Sequence, residues 1–517
     1  MANDNKDEEK VALMEKKDSE KSEKKPLPLQ DINYEYLNGL RGWGAFAVFL
    51  FHYTEAFWKI EKRPDSDNLD GSWNPPAWLL FLRNTPFGIC IAGYAAVSVF
   101  FVLSGFVLPL QWFYKRRISS ITGGIFRRYL RLMLPMLLCL SFYYFVSKMD
   151  FTTRPGTFSR VRPKSFFEFL VDGTIGVWFM NTDYAGLTWT LSVELIASYF
   201  IYILAFVPVN YHGRFYLYAI VLIFLYLPRL TDAYQITQYG FDSMYEVKPS
   251  FLYDKAVRMH VPTFAWGVIF ADIECINING RRPLDVIRKL SIWLKIPLNL
   301  FLFTLFCVFG AVDIETLNHM RSDENQRYGL TVSFGYAIGM PMCMLIAALS
   351  IFLLALTSSW AMWLLGSAPF RFLGDISYSL YLLHTFIIEW PMKELQYYWV
   401  QDGMNYDAAA YYVFLIFTPI LILASWGATL FIDTPSKNLA QKLDLNLRKD
   451  VPKPGGKRPA VKQVGCVEFT LSNWQVYTIV IYLLVIFIIT EGYQSFNGNR
   501  ERIAANGVKH PPGQQAA

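Results

Sequence analysis

An arginine and a histidine stand eleven positions apart in one apolar stretch, LNGLRGWGAFAVFLFH at 37–52. On a helix this spacing is close to three turns, so Arg41 and His52 lie on nearly one face, about 16 Å apart along the axis. A guanidinium binds phosphate oxygens and an imidazole can act as a general base, so the pair suits a donor with phosphates at one end and a reactive group at the other. Alternatively, Arg41 reaches lipid phosphates and His52 is bonded to a carbonyl at the far interface.

A carboxylic acid lies in a second apolar stretch, LTWTLSVELIASYF at 187–200, where Glu194 has no basic residue near it in sequence. Ionisable groups inside a bilayer are costly, so they usually have a partner or a function. Two interpretations remain open. Either burial keeps Glu194 neutral, or Glu194 pairs with His52 or Arg41 across a helix bundle.

Polar side chains also share one face of the stretch FLGDISYSLYLLHTF at 372–386. Ser377, Tyr381 and His384 follow one another at i, i+4 and i+7, a helical spacing. They could stabilise an oxyanion or hold a substrate, or they could form a hydrogen-bond network that only packs helices.

Basic residues precede a further apolar run in RRYLRLMLP at 127–135. Arg127, Arg128 and Arg131 are either the positive flank typical of a cytoplasmic loop or a clamp for phosphate groups. In FFVLSGFVL at 100–108, Ser104 and Gly105 indicate close packing between helices.

The elements that must position these residues are membrane helices. The chain has 517 residues, of which 53% are hydrophobic and 17% are charged, against about 25% charged in average globular domains. Its apolar runs of about 20 residues suit a bilayer, in which the backbone must form helices. We therefore predict an all-α polytopic membrane protein, a bundle of about ten or eleven transmembrane helices. The predicted spans are 36–57, 88–110, 132–147, 187–207, 215–230, 260–275, 292–312, 331–357, 369–390, 408–432 and 475–493.

Charge and cysteine content narrow the possible partners. The net charge of +6 is spread among loops, which indicates membrane topology and predicts no nucleic-acid partner. Three basic loops lie on one side of the membrane and one on the other, which places the N-terminus in the cytoplasm. The shorter apolar run at 165–181 is predicted to be interfacial or re-entrant. The six cysteines have no repeated spacing, so neither a disulfide framework nor a metal site is predicted. The pattern does not distinguish plasma membrane from endomembrane and predicts no oligomeric state.

Taken in order, these segments resemble the acyltransferase-3 family of membrane acyltransferases, with the general look of its eukaryotic, fungal-like branch. Arg41 and His52 match its signature of an arginine, ten residues and a histidine. The other matching segments are Ser104 to Phe106, Arg127 to Pro135, Trp189 to Glu194, Gly374 to His384 and FIDTPSKNLA at 431–440. The chain departs from the family at Asp433, where glutamate is usual, and at Phe386, where proline often follows the histidine.

The resemblance predicts an acyltransferase-3-like domain at 34–440. Composition and charge predict the other segments: a disordered charged cytoplasmic tail at 1–33, a basic cytoplasmic linker at 441–473, an extra transmembrane helix at 474–495 and a disordered tail at 496–517.

The resemblance implies an O-acyltransferase that moves an acyl group, possibly acetyl, from acyl-CoA to a hydroxyl of a carbohydrate, lipid or small metabolite. No permanently bound cofactor is expected. The implied roles are phosphate binding by Arg41, Arg127, Arg128 and Arg131, catalysis by His52 with Glu194, and oxyanion or substrate binding by Ser377, Tyr381 and His384. Two rival hypotheses are an exporter of a small metabolite and a non-catalytic membrane scaffold. Against the exporter, the sequence shows no internal repeat.

Overall fold

The computed structural model describes residues 34–58, 75–115, 118–148, 165–174, 176, 188–206, 213–223, 255–276, 282–312 and 340–449. Every regular element in these ranges is a helix, which confirms the all-α class. The predicted tails at 1–33 and 496–517, the linker from 450 onward and the extra helix at 474–495 lie outside the described residues.

The helices follow one another along the chain with short 3₁₀ or π segments between some of them. They are α1 (Glu35–Phe57), α2 (Ala77–Asn84), a 3₁₀ helix (Pro86–Ile91), α3 (Gly93–Lys115), α4 (Ile118–Lys148), α5 (Phe166–Thr174), α6 (Thr188–Phe206), α7 (Gly213–Ile223), α8 (Lys255–Cys275), α9 (Pro283–Arg288), α10 (Ile292–Gly310), α11 (Met340–Thr357), α12 (Ser359–Leu365), α13 (Ala368–Ile387), a π-helix (Ile388–Met392), α14 (Lys393–Gln401), α15 (Tyr406–Ala428), a second π-helix (Thr429–Asp433) and α16 (Thr434–Lys449).

Fewer helices than predicted meet the length and hydropathy of a membrane span. Among the described residues there are four: Gly93–Phe113, Arg127–Lys148, Ile292–Gly310 and Tyr406–Leu443. A fifth is counted if α11 and α12, bent by 98° at their junction, form one broken span. These helices support an integral membrane protein, whereas ten or eleven spans are not confirmed. Two of the predicted spans that do not meet these criteria are α1 and α13. Both are long, but they are less apolar than α3 because they carry the polar candidate site residues.

Glycines set the contact between α1 and α13. A Cβ atom at Gly42 would lie 2.4 Å from the backbone nitrogen of Gly374, and a Cβ atom at Gly374 would lie 2.2 Å from the carbonyl oxygen of Asn38. Only glycine allows this approach, since larger side chains would force the two backbones apart. Residue numbers increase together along the contact, so the helices run parallel. His52 and His384 each follow their glycine by ten residues and therefore reach the same level.

A second glycine contact joins α3 to α8. A Cβ atom at Gly105 would lie 2.2 Å from the carbonyl oxygen of Phe264, and one at Gly267 would lie 2.3 Å from that of Val102. The prediction of close packing at Ser104 and Gly105 is therefore confirmed. The contact holds Ser104 of α3 beside the candidate active site.

Helix α4 begins well before the predicted span at 132–147. It starts at Ile118, so Arg127, Arg128 and Arg131 lie within the helix and not in the loop that precedes it. Pro135 is accommodated in the helix interior. The three arginines therefore project from one continuous helix.

Within the predicted segment 165–181, α5 has a reciprocal N-terminal cap. The Glu168 backbone N–H donates to the Ser165 hydroxyl at 3.2 Å, and the Ser165 backbone N–H donates to the Glu168 carboxylate at 3.0 Å. This capping box explains why the short run forms a helix. Its position relative to the membrane stays a prediction.

Candidate active site

Five helices enclose a cavity of about 670 Å³ that is partly open to its surroundings. We call it the charged cavity. Its lining residues are Arg41 from α1, Val97, Phe100, Phe101 and Ser104 from α3, Arg128, Arg131 and Leu132 from α4, Thr190, Leu191 and Glu194 from α6, and Ser377, Tyr378 and Tyr381 from α13. Six residues that the sequence singled out as candidate site residues therefore meet in one place: Arg41, Arg128, Arg131, Glu194, Ser377 and Tyr381.

Glu194 has a cationic partner from another helix. Its carboxylate forms an ion pair with Arg128 and accepts a hydrogen bond from the Ser104 hydroxyl at 2.9 Å. The Arg128 Nε donates to the Ser198 hydroxyl at 3.2 Å. The sequence suggested either a neutral Glu194 or a pairing with Arg41 or His52; the structure gives it a guanidinium from α4. Because both ends of the pair are held, the side chains of Arg128 and Glu194 are fixed in position.

Arg41 and Arg131 have no such partner. Within the described part of the chain, neither guanidinium forms a hydrogen bond or an ion pair with protein, although each acts electrostatically on the other. Asp433, at the junction of α15 and α16, is near both but is itself paired with Lys437. Two guanidinium groups that face a cavity without a carboxylate bound to either have donors free to bind an anion.

Positive charge is therefore in excess around the charged cavity. The ionic groups that interact there are the cations Arg41, Arg128, Arg131 and Lys437 and the anions Glu194 and Asp433. Four positive charges against two negative ones leave a formal excess of two. Since unbalanced charge is expensive in a low-dielectric interior, an anionic ligand would stabilise the arrangement.

The hydroxyl groups of α13 differ in what they can offer a ligand. Ser377 donates to the carbonyl of Gly374 at 2.7 Å, and Tyr378 donates to the carbonyl of Leu132 at 2.6 Å. Their hydrogens are therefore used within the protein. The Tyr381 hydroxyl instead pairs with the Thr190 hydroxyl, in a bond that either oxygen can donate. Tyr381 is the member of this face best able to donate to a bound group.

The two histidines stack on each other at the far end of α1 and α13. The ring centroids of His52 and His384 are 5.3 Å apart, with 23° between the ring planes. His384 is fully buried, and its Nδ1 lies 3.2 Å from the Leu380 carbonyl oxygen. A carbonyl can only accept, so Nδ1 carries the hydrogen and Nε2 accepts, here from the Thr385 hydroxyl at 3.4 Å.

A carboxylate orients His52. The Nδ1 of His52 lies 3.2 Å from a carboxylate oxygen of Glu55, and the His52 side chain is 37% exposed. The carboxylate accepts from Nδ1–H, so the neutral ring presents its Nε2 lone pair as a base. The sequence-based hypothesis gave this orienting role to Glu194 and missed Glu55. The available signal was the three-residue spacing, which places Glu55 one turn beyond His52.

The histidine pair adjoins the charged cavity without lining it. His384 connects the two, because its ring centroid is 5.6 Å from that of Tyr381, a cavity residue. Arg127 is likewise not among the lining residues and lies near Tyr202 of α6. Arg41 and His52 are thus linked through α13 and do not line one common surface.

The described residues contain no cluster of three or more His, Cys, Asp or Glu side chains arranged to hold a metal ion. The cysteines among them, Cys90, Cys139, Cys275, Cys307 and Cys343, are free thiols.

Comparison with known proteins identifies the family of the chain. The family model of the acyltransferase-3 domain, described as an acyltransferase domain, matches residues 34–432, which is most of the chain and includes the charged cavity and both histidines. No curated protein and no solved structure is significantly similar to the chain. On the family match and its apolar helices, the chain belongs to the acyltransferase-3 family and is a membrane acyltransferase.

Proposed function

We propose that this acyltransferase is an O-acyltransferase that takes its acyl group from acyl-CoA and transfers it to a hydroxyl. The observation that carries the proposal is the charged cavity, in which Arg41 and Arg131 face the interior without a hydrogen-bonded or ion-paired partner among the residues that the structure describes. Coenzyme A presents phosphate groups at one end of the molecule and a thioester at the other. A site for it therefore needs clustered cations at a distance from a base.

The structure narrows the set of phosphate-binding arginines. All four of Arg41, Arg127, Arg128 and Arg131 were candidates from the sequence. The ion pair with Glu194 holds Arg128, and Arg127 does not line the cavity. Arg41 and Arg131 are therefore the residues we expect to bind phosphate oxygens, with Arg128 fixing Glu194 beside them.

The flexible arm of the donor would extend from the arginines toward the histidines. Arg41 and His52 are eleven residues apart on α1, or about 16 Å along the helix axis. A thioester held at that level would lie near Tyr381 and His384. The hydroxyl substrate would approach the partly exposed side of His52, so donor and acceptor meet from opposite sides of the histidine pair.

The proposed reaction moves one proton and one acyl group. His52 Nε2 takes the proton of the acceptor hydroxyl while that oxygen attacks the thioester carbon. Glu55, bonded to Nδ1, stabilises the imidazolium that forms, as the aspartate does in a serine protease triad. When the carbon–sulfur bond breaks, the imidazolium returns its proton to the thiolate, leaving an ester and free coenzyme A. In the covalent variant, Nε2 would carry the acyl group first.

Tyr381 is the proposed oxyanion donor. Its hydroxyl faces the charged cavity and lies in the same α13 face as His384. His384 offers a lone pair and not a hydrogen at Nε2, so its expected role is to support His52 by stacking. Ser377, which donates to its own helix, is expected to position α13.

The test is release of free thiol from acetyl-CoA or octanoyl-CoA by purified protein in the presence of glucose, glycerol or a membrane lipid extract. His52→Ala should lower the acceptor-dependent rate by about 10²–10⁴, the usual contribution of a general base. Glu55→Gln should cause a smaller loss, because the ring keeps its base but loses its orienting carboxylate. A His52→Ala variant that unfolds at the wild-type temperature and keeps the wild-type rate would remove His52 from the mechanism.

A further inference from the structure

A second cavity lies beside the charged one and is lined almost entirely by carbon. It is partly open, with a volume of about 490 Å³ when the space open to its surroundings is included, and is formed by α4, α6 and α13. No lysine, arginine, aspartate, glutamate or histidine is among its lining residues. We call it the apolar cavity. Because the space is partly open and its lining is apolar, a hydrocarbon chain can enter it and remove apolar surface from contact with water.

The two cavities are neighbours along the same helix faces. Leu191 of α6 lines both of them. On α4, Leu132 lines the charged cavity and Met136, one turn later, lines the apolar one. One turn separates residues at i and i+4, which share a face and lie about 6 Å apart along the axis. The apolar cavity therefore continues the charged cavity away from the arginines.

Helix α13 also contributes residues one turn apart to the two cavities. Tyr378 lines the charged cavity and Leu382, four residues later, lines the apolar one. Likewise, Tyr381 lines the charged cavity and Thr385 lines the apolar one. His384 touches both sides, because its ring is 5.6 Å from that of Tyr381 and its Nε2 is 3.4 Å from the Thr385 hydroxyl. The histidine pair thus stands where the two cavities meet.

We propose that the apolar cavity binds the acyl chain of the donor and that the enzyme uses acyl groups longer than acetyl, of medium chain length. The inference rests on the proposed function, because it takes the charged cavity as the site of the coenzyme A phosphates. In a thioester donor the reacting carbon lies between a polar, phosphate-bearing part and a hydrocarbon part. The order of arginines, histidine pair and apolar cavity matches this order of chemical groups.

The alternative occupant is a hydrocarbon tail of a bilayer lipid. Phe142 lines the apolar cavity and is 54% exposed, so the cavity reaches the outer surface of α4. The register shared with the charged cavity and the contact with His384 favour the donor chain, because a lipid tail would need neither. Binding measurements separate the two.

The experiment is equilibrium binding of coenzyme A, acetyl-CoA and octanoyl-CoA to the purified protein in detergent. If the chain enters the cavity, affinity should rise by up to about fourfold for each buried methylene, the gain expected from apolar burial. Octanoyl-CoA should therefore bind far more tightly than acetyl-CoA. Equal affinities for the two would overturn the inference and assign the cavity to lipid or to packing, while binding of coenzyme A itself would still support the proposed donor.

A variant that fills the cavity sharpens the result. Cys139 lines the apolar cavity, so Cys139→Phe should remove most of the preference for octanoyl-CoA over acetyl-CoA. Cys307→Phe is the matched control, because Cys307 lies on α10, outside the cavity, with intermediate burial. A preference that persists in Cys139→Phe contradicts the inference. A protein that binds none of the three ligands contradicts both the inference and the proposed donor.

Discussion

Two of the groups of buried charge in the described part of the molecule differ in their balance of positive and negative charges. The charged cavity has two more positive than negative charges. The second cluster, centred on Glu274 at the end of α8, contains Arg282, Asp285 and Arg288 of the segment that follows. We call it the Glu274 cluster. Two arginines face two carboxylates there, so its formal charge is zero.

The charged side chains of the Glu274 cluster bind one another directly. Arg288 donates to both carboxylate oxygens of Glu274, at 3.1 and 3.2 Å, and to Asp285 at 2.9 Å. Its Nε donates to the carbonyl of Leu356, which ties α9 to α11. Burial acts to lower the pKa of Arg288, but the Glu274 carboxylate and the hydrogen bonds outweigh burial and raise the pKa above its ordinary value.

The comparison separates structural from ligand-binding charge. In the Glu274 cluster each charged group lies within 3.7 Å of an oppositely charged group of the protein, so these ion pairs join helices. In the charged cavity, Arg41 and Arg131 have none among the described residues. Their mutual repulsion is a cost to the free protein, and a bound anion would relieve it. Substitutions in the two clusters should therefore affect different measurements.

The largest expected effect on stability follows removal of Arg288. Arg288→Met leaves Glu274, whose side chain is 1% exposed, with Arg282 at 3.7 Å as its cationic partner and a long hydrogen bond from the Tyr34 hydroxyl at 3.4 Å. Breaking a buried pair in this way typically costs about 3–5 kcal/mol. We expect a marked fall in unfolding temperature, measured in detergent.

The control for Arg288→Met is Arg371→Met. Arg371 pairs with Glu35 at 2.8 Å, but both side chains are exposed, at 44% and 58%. Exposed pairs contribute little, so the unfolding temperature should hardly change. Equal losses in the two variants would remove the distinction between a buried structural cluster and a surface pair.

A neutral residue in place of Arg131 should weaken ligand binding without lowering stability, in contrast to Arg288→Met. Arg131→Gln removes a charge-assisted hydrogen bond to the donor, worth about 1.5–3 kcal/mol, so coenzyme A affinity should fall about 10- to 150-fold. The unfolding temperature should stay the same or rise, because repulsion with Arg41 is lost. Arg127→Gln is the matched control on the same helix, outside the cavity. If Arg127→Gln weakens binding as much as Arg131→Gln, the cavity does not select between them.

The smallest effect is expected at Lys437. Its ion pair with Asp433 is half open, with Lys437 37% exposed and Asp433 1% exposed. Lys437→Met removes one of four cations but leaves Asp433 attracted to the nearby Arg41 and Arg131, so the stability loss should be smaller than that of Arg288→Met. A loss as large as that of Arg288→Met would show that the two arginines do not compensate Asp433.

How much of this could be predicted from the sequence depends on how local each feature is. Arg41 and Glu194 stood out because each is an ion within an apolar run. The Glu194 partner, Arg128, lies 66 positions earlier on another helix, and sequence gives no register between the two. The stack of His52 on His384 depends likewise on the glycine contact between α1 and α13.

Helix ends and kinks were harder to place than helix interiors. The arginines of 127–135 were expected before a span, yet α4 starts nine residues before Arg127, because helix formation continues beyond the apolar run. Phe386 stands where a proline was expected after His384, and the helix is instead interrupted by a π-helix at Ile388–Met392 that contains Pro391. A proline removes a backbone donor, which accounts for the break in regular α-helix at this point.

The central claim is that surplus positive charge in one cavity binds the phosphates of a thioester donor. The most direct measurement compares acetyl-CoA with S-acetyl-pantetheine, which carries the same thioester without phosphate groups, in equilibrium binding to the purified protein. We predict that acetyl-CoA binds at least about 100-fold more tightly, as expected for two charge-assisted contacts, and that Arg131→Gln narrows the difference. Equal affinities for the two compounds in the wild-type protein would contradict the claim.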